Sequence, residues 1–131
     1  MSLMLTLLPL EGPRKLLETD VYCYERLQVP QDYRLLGQLT DLSMYHAQDN
    51  EIPEKPTIQV QPIPPQLWLQ LYADEGLTRT REDRNGLPFT FVYAQQLKKL
   101  ALPKDALARS EAIKAYIDAL PDDTPIILEW H

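Results

Sequence analysis

The apolar positions of this chain change period several times, and each change marks an element. Leu3 to Leu8 is a short apolar run ended by Pro9, Gly12 and Pro13, the mark of a buried strand. Thr19 to Gln28 holds Val21, Tyr22, Cys23 and Tyr24, residues that favour strand. Alternation puts Val21, Cys23 and Glu25 on one face, and Tyr22, Tyr24 and Arg26 on the other; Pro30 closes the run. From Asp32 to Tyr45 the period becomes helical, through Leu35, Leu36, Leu39, Leu42 and Tyr45, with Asp32 as cap. Gly37 weakens that helix by about 1 kcal/mol relative to alanine.

His46 to Pro56 is polar and reads as a loop, and Thr57 to Gln61 as a short strand. Pro53, Pro56, Pro62, Pro64 and Pro65 crowd this zone. A proline-rich ligand for an aromatic groove is one reading. A rigid connector is favoured, because Ile52, Ile58, Val60 and Ile63 interleave with the prolines and want burial.

Leu67 to Ala73 fits two templates. Prolines just before it can start a helix. Strand is preferred, because Leu67, Leu69 and Leu71 alternate with Trp68, Gln70 and Tyr72. Asp74-Glu75-Gly76 then makes a hairpin loop into Leu77 to Glu82, where Leu77, Arg79 and Arg81 share one face and Thr78, Thr80 and Glu82 the other. Asp83-Arg84-Asn85-Gly86 is a second turn. After Pro88 helical spacing returns: Thr90 is expected to cap a helix carrying Phe91, Ala94, Leu97 and Leu100. Pro103 stops it. A further helix runs from about Asp105 or Ser110 to Ala119, and Pro125 to Trp130 is a closing strand. The expected fold is α+β over residues 1–131 as one domain: a mostly antiparallel sheet of about five strands with about three helices packed on it. Met1-Ser2-Leu3 before a second methionine is compatible with an added leader and a natural start at Met4.

Composition changes the picture in a few places. The hydrophobic fraction of 44% and charged fraction of 24% suit a globular chain. Twelve prolines against four glycines predict short elements. A net charge of -6 argues against nucleic acid and anionic membranes as partners. No run of about 18 apolar residues suggests a membrane span. A lone cysteine, Cys23, excludes an intrachain disulfide, and the cytoplasm is the location expected by elimination.

Candidate chemistry is thin. Cys23, His46 and His131 have no ligand spacing, so no metal is expected. Asp74 to Glu82 lacks the alternating oxygens of a calcium loop. Cys23 with His46 as nucleophile and base has no local support, and a strand cysteine is more often a core residue. Gly12, Gly37, Gly76 and Gly86 are too dispersed for a phosphate-binding loop, and no cofactor is expected. Glu82-Asp83 and Asp122-Asp123 read as solvated turn carboxylates.

The remaining candidate is the hairpin. Trp68 and Tyr72 beside Arg79, Arg81 and Arg84 have the composition of an interface hot spot. The chain is therefore expected to be an interaction or regulatory protein, not an enzyme, that binds a protein partner there. The alternative is an enzyme or binder acting on a small anionic ligand, with Arg79, Arg81, Tyr93 and His46 converging on a pocket. A homodimer paired through an edge strand is a third reading.

Overall fold

The computed structural model describes residues 3–45, 50–73 and 76–131. Among the described residues eight strands form two sheets, and the fold is α+β. The strands are β1 Leu5–Pro9, β2 Asp20–Cys23, β3 Leu27–Val29, β4 Gln61–Pro62, β5 Trp68–Ala73, β6 Gly76–Thr80, β7 Thr90–Tyr93 and β8 Pro125–Trp130. The larger sheet is antiparallel throughout, in the order β3-β1-β8-β7-β4. The smaller has the order β2-β5-β6, with β2 parallel to β5 and β5 antiparallel to β6. Three helices are described: α1 Tyr33–Leu36, α2 Ala94–Leu97 and α3 Ala108–Ala119.

Two apolar cores share the larger sheet as a common wall. Leu5, Leu7, Ile126 and Leu128 point to the helical side, where they meet Leu35, Leu36, Leu39, Leu97 and Ile117. Leu8, Phe91 and Ile127 point the other way and meet Val21, Cys23, Leu67, Leu69 and Leu71 of the smaller sheet. β1 and β8 are buried on both faces, which explains why their sequences read as apolar runs and not as alternation. The molecule is thus three layers: helices, larger sheet, smaller sheet.

The strands expected near Leu3–Leu8, at Leu67–Ala73 and at Pro125–Trp130 are present, as is the helix ending at Ala119. Other expectations need correction. The single strand expected over Thr19 to Gln28 is two strands in different sheets, β2 beside β5 and β3 beside β1. Arg26 sits at the crossing. Its guanidinium donates to the Tyr72 carbonyl at 2.9 Å in one sheet and to Glu129 at 2.7 Å in the other.

The helix expected from Asp32 to Tyr45 lasts one turn. Asp32 caps it by accepting from the Arg34 N–H. The carbonyl of Gln38, which would continue the helix, accepts instead from the N–H groups of Thr57 and Ile58. Position 37 is also closed in: a Cβ there would meet the Tyr33 carbonyl at 2.9 Å and Ile52 at 3.1 Å. Leu35, Leu36, Leu39 and Leu42 are buried all the same, so the spacing reported a buried face and not a continuous helix.

Thr57 to Gln61 is mostly outside any strand, and only Gln61–Pro62 pairs, with β7. The helix expected to begin at Thr90 is a strand over Thr90–Tyr93, followed by the short α2. Phe91, Val92 and Tyr93 are strong strand formers, and β7 is hydrogen-bonded on both sides, to β8 and β4. Tertiary pairing overrides the local cap.

Candidate functional site

The smaller sheet has a buried face and a bare one. Leu69 and Leu71 turn into the core between the sheets, opposite Val21 and Cys23 in the parallel register. Period two then forces Trp68, Gln70 and Tyr72 outward, together with Tyr22 from β2 and Leu77 and Arg79 from β6. Tyr22, Tyr24, Tyr72 and Leu77 remain 48%, 71%, 57% and 46% exposed. Tyr116 and Leu120 at the end of α3 stand at its β2 edge, beside Tyr22 and Tyr24.

The groups on that face are organised. Tyr22 and Tyr24 stack with ring centroids 6.1 Å apart. Arg79 lies over the Trp68 ring, 4.2 Å from its centroid, and its Nε donates to Asp20 at 2.6 Å. That hydrogen bond, reinforced by one from Gln70, holds the Asp20 carboxyl below the usual carboxylate range. The guanidinium is fixed between an acid and an aromatic plane, and the Arg79 side chain is still about half exposed.

The sequence-selected residues are distributed as follows. Trp68, Tyr72 and Arg79 share the bare face. Arg81 approaches the Trp68 ring at 5.8 Å, but its guanidinium is engaged with the chain, donating to the carbonyls of Pro64 and Leu67. It stiffens the approach to β5. Arg84 stands in the second turn and lines a recess of about 180 Å³ with Arg26, Tyr72, Thr80 and Glu129. Gly86 in that turn has a φ of 78°, and the Asp83 carboxylate accepts from the N–H groups of Asn85 and Leu87.

Of the residues of the anionic-pocket alternative, Arg79 and Arg81 both approach Trp68, but Arg79 and Tyr93 are not brought together. Arg79 is on the outer face of the smaller sheet. Tyr93 belongs to the larger sheet, where its ring meets Phe91 edge-on at 5.4 Å against the core between the sheets. The strands of the smaller sheet stand between them. His46, Asp74 and Glu75 lie outside the described residues. Cys23 is buried in the same core, and burial with the charge of Glu129 pushes its thiol up to about 12. A thiol so held is no nucleophile near neutral pH. Among the described residues no cluster of three or more His, Cys, Asp or Glu is placed for a metal ion, and no helix is long and apolar enough to cross a membrane.

Three features went unassigned in the sequence. Tyr22 and Tyr24 were legible as one strand face, but only the parallel pairing with β5 puts them beside Trp68 and Tyr72. Tyr116 of α3 donates its hydroxyl to Glu25, a contact across 91 residues that no local pattern announces. Beside it opens a groove of about 430 Å³ along β2, lined by Leu10, Glu18, Tyr22, Glu25, Tyr116 and Leu120 among others. In comparisons with known proteins the chain matches no family model, no curated protein and no solved structure.

Proposed function

We propose that this protein acts by binding a protein partner on the outer face of its smaller sheet. The observation that carries the reading is the exposed aromatic surface of Tyr22, Tyr24 and Tyr72, with Arg79 fixed among them on the half-buried Trp68. Aromatic rings lose little rotamer freedom when covered, and a guanidinium stacked on tryptophan is already oriented. Both reduce the cost of association. Arg79 adds hydrogen-bonding capacity at the centre of the patch, and Asp20 sets its direction.

Proteins that keep such a face bare without a partner accept an aggregation hazard. The net charge of -6 opposes self-association and leaves the patch free for a partner of opposite charge.

The test is capture of partner from the native host by the intact chain and by Tyr72→Ala and Arg79→Ala variants whose thermal unfolding matches the parent. Loss of a specific band with each variant supports the assignment. Equal capture by all three chains overturns it.

A further inference from the structure

The two sheets leave four strand edges, and they are not alike. β3 and β4 are three and two residues long, with Pro30 after the first and Pro62 within the second. Short and proline-bearing edges resist further pairing. β6 carries Arg79 and leads into the Asp83 turn. β2 has no proline, and its single charge, Asp20, is turned onto Arg79. Among the described residues no strand pairs with its outer edge.

That edge presents ordered backbone groups. The Trp68 N–H donates to the Thr19 carbonyl at 2.9 Å. In a parallel ladder alternate residues turn their N–H and C=O to the same side. Thr19, Val21 and Cys23 therefore address β5, and Asp20 and Tyr22 address the groove. Its other wall comes from Tyr116 and Leu120 at the end of α3, with Leu10 after β1. The acids that line it, Glu11, Glu18, Asp20 and Glu25, outnumber Lys15; Lys15 pairs with Glu11 at 3.9 Å and Glu18 at 3.4 Å, Asp20 is taken by Arg79, and Glu25 accepts from the Tyr116 hydroxyl while keeping its charge.

We propose that this groove receives an extended segment of the partner, added beside β2 as a fourth strand, in which basic residues alternate with apolar ones. The inference rests on the reading of the smaller sheet as the partner-binding element and names the chemistry that element selects. Backbone pairing with Asp20 and Tyr22 supplies affinity, and alternate side chains supply specificity. One set of side chains lies beside Tyr22 and Tyr24, where lysine or arginine meets aromatic rings and carboxylates. The other set falls on Leu120 and Pro121. The four residues of β2 span about 13 Å, which four or five partner residues match. A second copy of this chain is the wrong occupant, because β2 against β2 brings Glu18 and Glu25, which flank the strand, against the same acids of the copy.

The test is selection of random twelve-residue peptides displayed on phage against the intact chain, followed by amide chemical-shift mapping with the enriched peptide. Enrichment of alternating basic and apolar residues, with the largest shifts at Asp20 and Tyr22, is expected. N-methylation of one pairing amide in that peptide weakens binding about fivefold. Glu25→Lys weakens it about tenfold. Enriched peptides without alternation, no enrichment, or indifference to N-methylation each overturn the strand-addition proposal. Shifts confined to Tyr72 and Leu77 overturn it too while leaving the bare face as the binding surface. Dimerisation of the free chain through β2, seen by sedimentation, would give the groove to a second copy and also overturn it.

Discussion

Arg26 and Glu129 stand 2.7 Å apart, and this ion pair joins the crossing between the two sheets to the central strand of the larger one. Glu129 is only 3% exposed, and the same guanidinium also holds the Tyr72 carbonyl on β5. The bare face is thereby fastened to the core of the molecule at the strand that carries Tyr72.

Removing one partner leaves a buried charge without compensation. Arg26→Met is expected to cost about 3 kcal/mol in urea unfolding, and the double variant Arg26→Met/Glu129→Leu to recover most of it. A single variant as stable as the parent would show that the pair does not fasten the sheets.

Gln38 makes a second fastening, on the helical side. Its amide donates to the Arg34 and Ala101 carbonyls, and its oxygen accepts from the Ala101 N–H at 2.9 Å. Gln38→Leu removes the hydrogen bonds of a buried amide but leaves the Ala101 groups, on an exposed residue, to water, so a loss of about 1–2 kcal/mol is expected. Hydrogen exchange should quicken at Ala101 while β8 stays protected.

His131 makes stability depend on pH. Its Nε2 is 2.9 Å from the Thr6 Oγ1. Burial holds its imidazole below the ordinary value of 6.5; Glu129 opposes that shift, and Arg84 and Arg26 add to it. The folded chain thus takes up the proton at lower pH than the unfolded chain. Its contribution is present above the ordinary value and is lost as pH falls through it. Tm should fall between about pH 7 and pH 5, and His131→Asn should flatten that part of the profile.

Much of this architecture was legible locally, and the remainder was not for definite reasons. Alternation placed Leu67, Leu69 and Leu71 inward, and burial agrees; it put Trp68 and Tyr72 on the opposite face without saying whether that face is covered, and there Tyr72 is exposed and Trp68 half-buried. It failed where distant backbone groups compete: the Gln38 carbonyl goes to Thr57 and Ile58, and β7 is claimed on both sides. Nothing in Thr19 to Gln28 says that it serves two sheets, because the reason is Arg26 reaching Glu129, 103 residues on. The parallel pairing that gathers Tyr22 and Trp68 is likewise non-local, so the groove had no local signature.

Cys23 reports on the packing between the sheets. With its thiol pushed up to about 12 by burial and Glu129, the native chain should resist iodoacetamide at mild alkaline pH and react only as fast as it opens. The folded thiol is raised above its ordinary value of 9.0, so the unfolded chain ionises first and stability falls as pH climbs from there. Rapid labelling of the native chain would mean that the smaller sheet separates readily from the larger one.

The most direct test of the partner-binding face is site-specific photo-cross-linking in the native host, with a benzophenone side chain at Tyr72 and, as control, at the exposed Leu107 before α3. A discrete cross-linked protein from position 72, absent from position 107, is the expected result. Cross-links that are equal at both positions, or absent from position 72, would contradict the assignment.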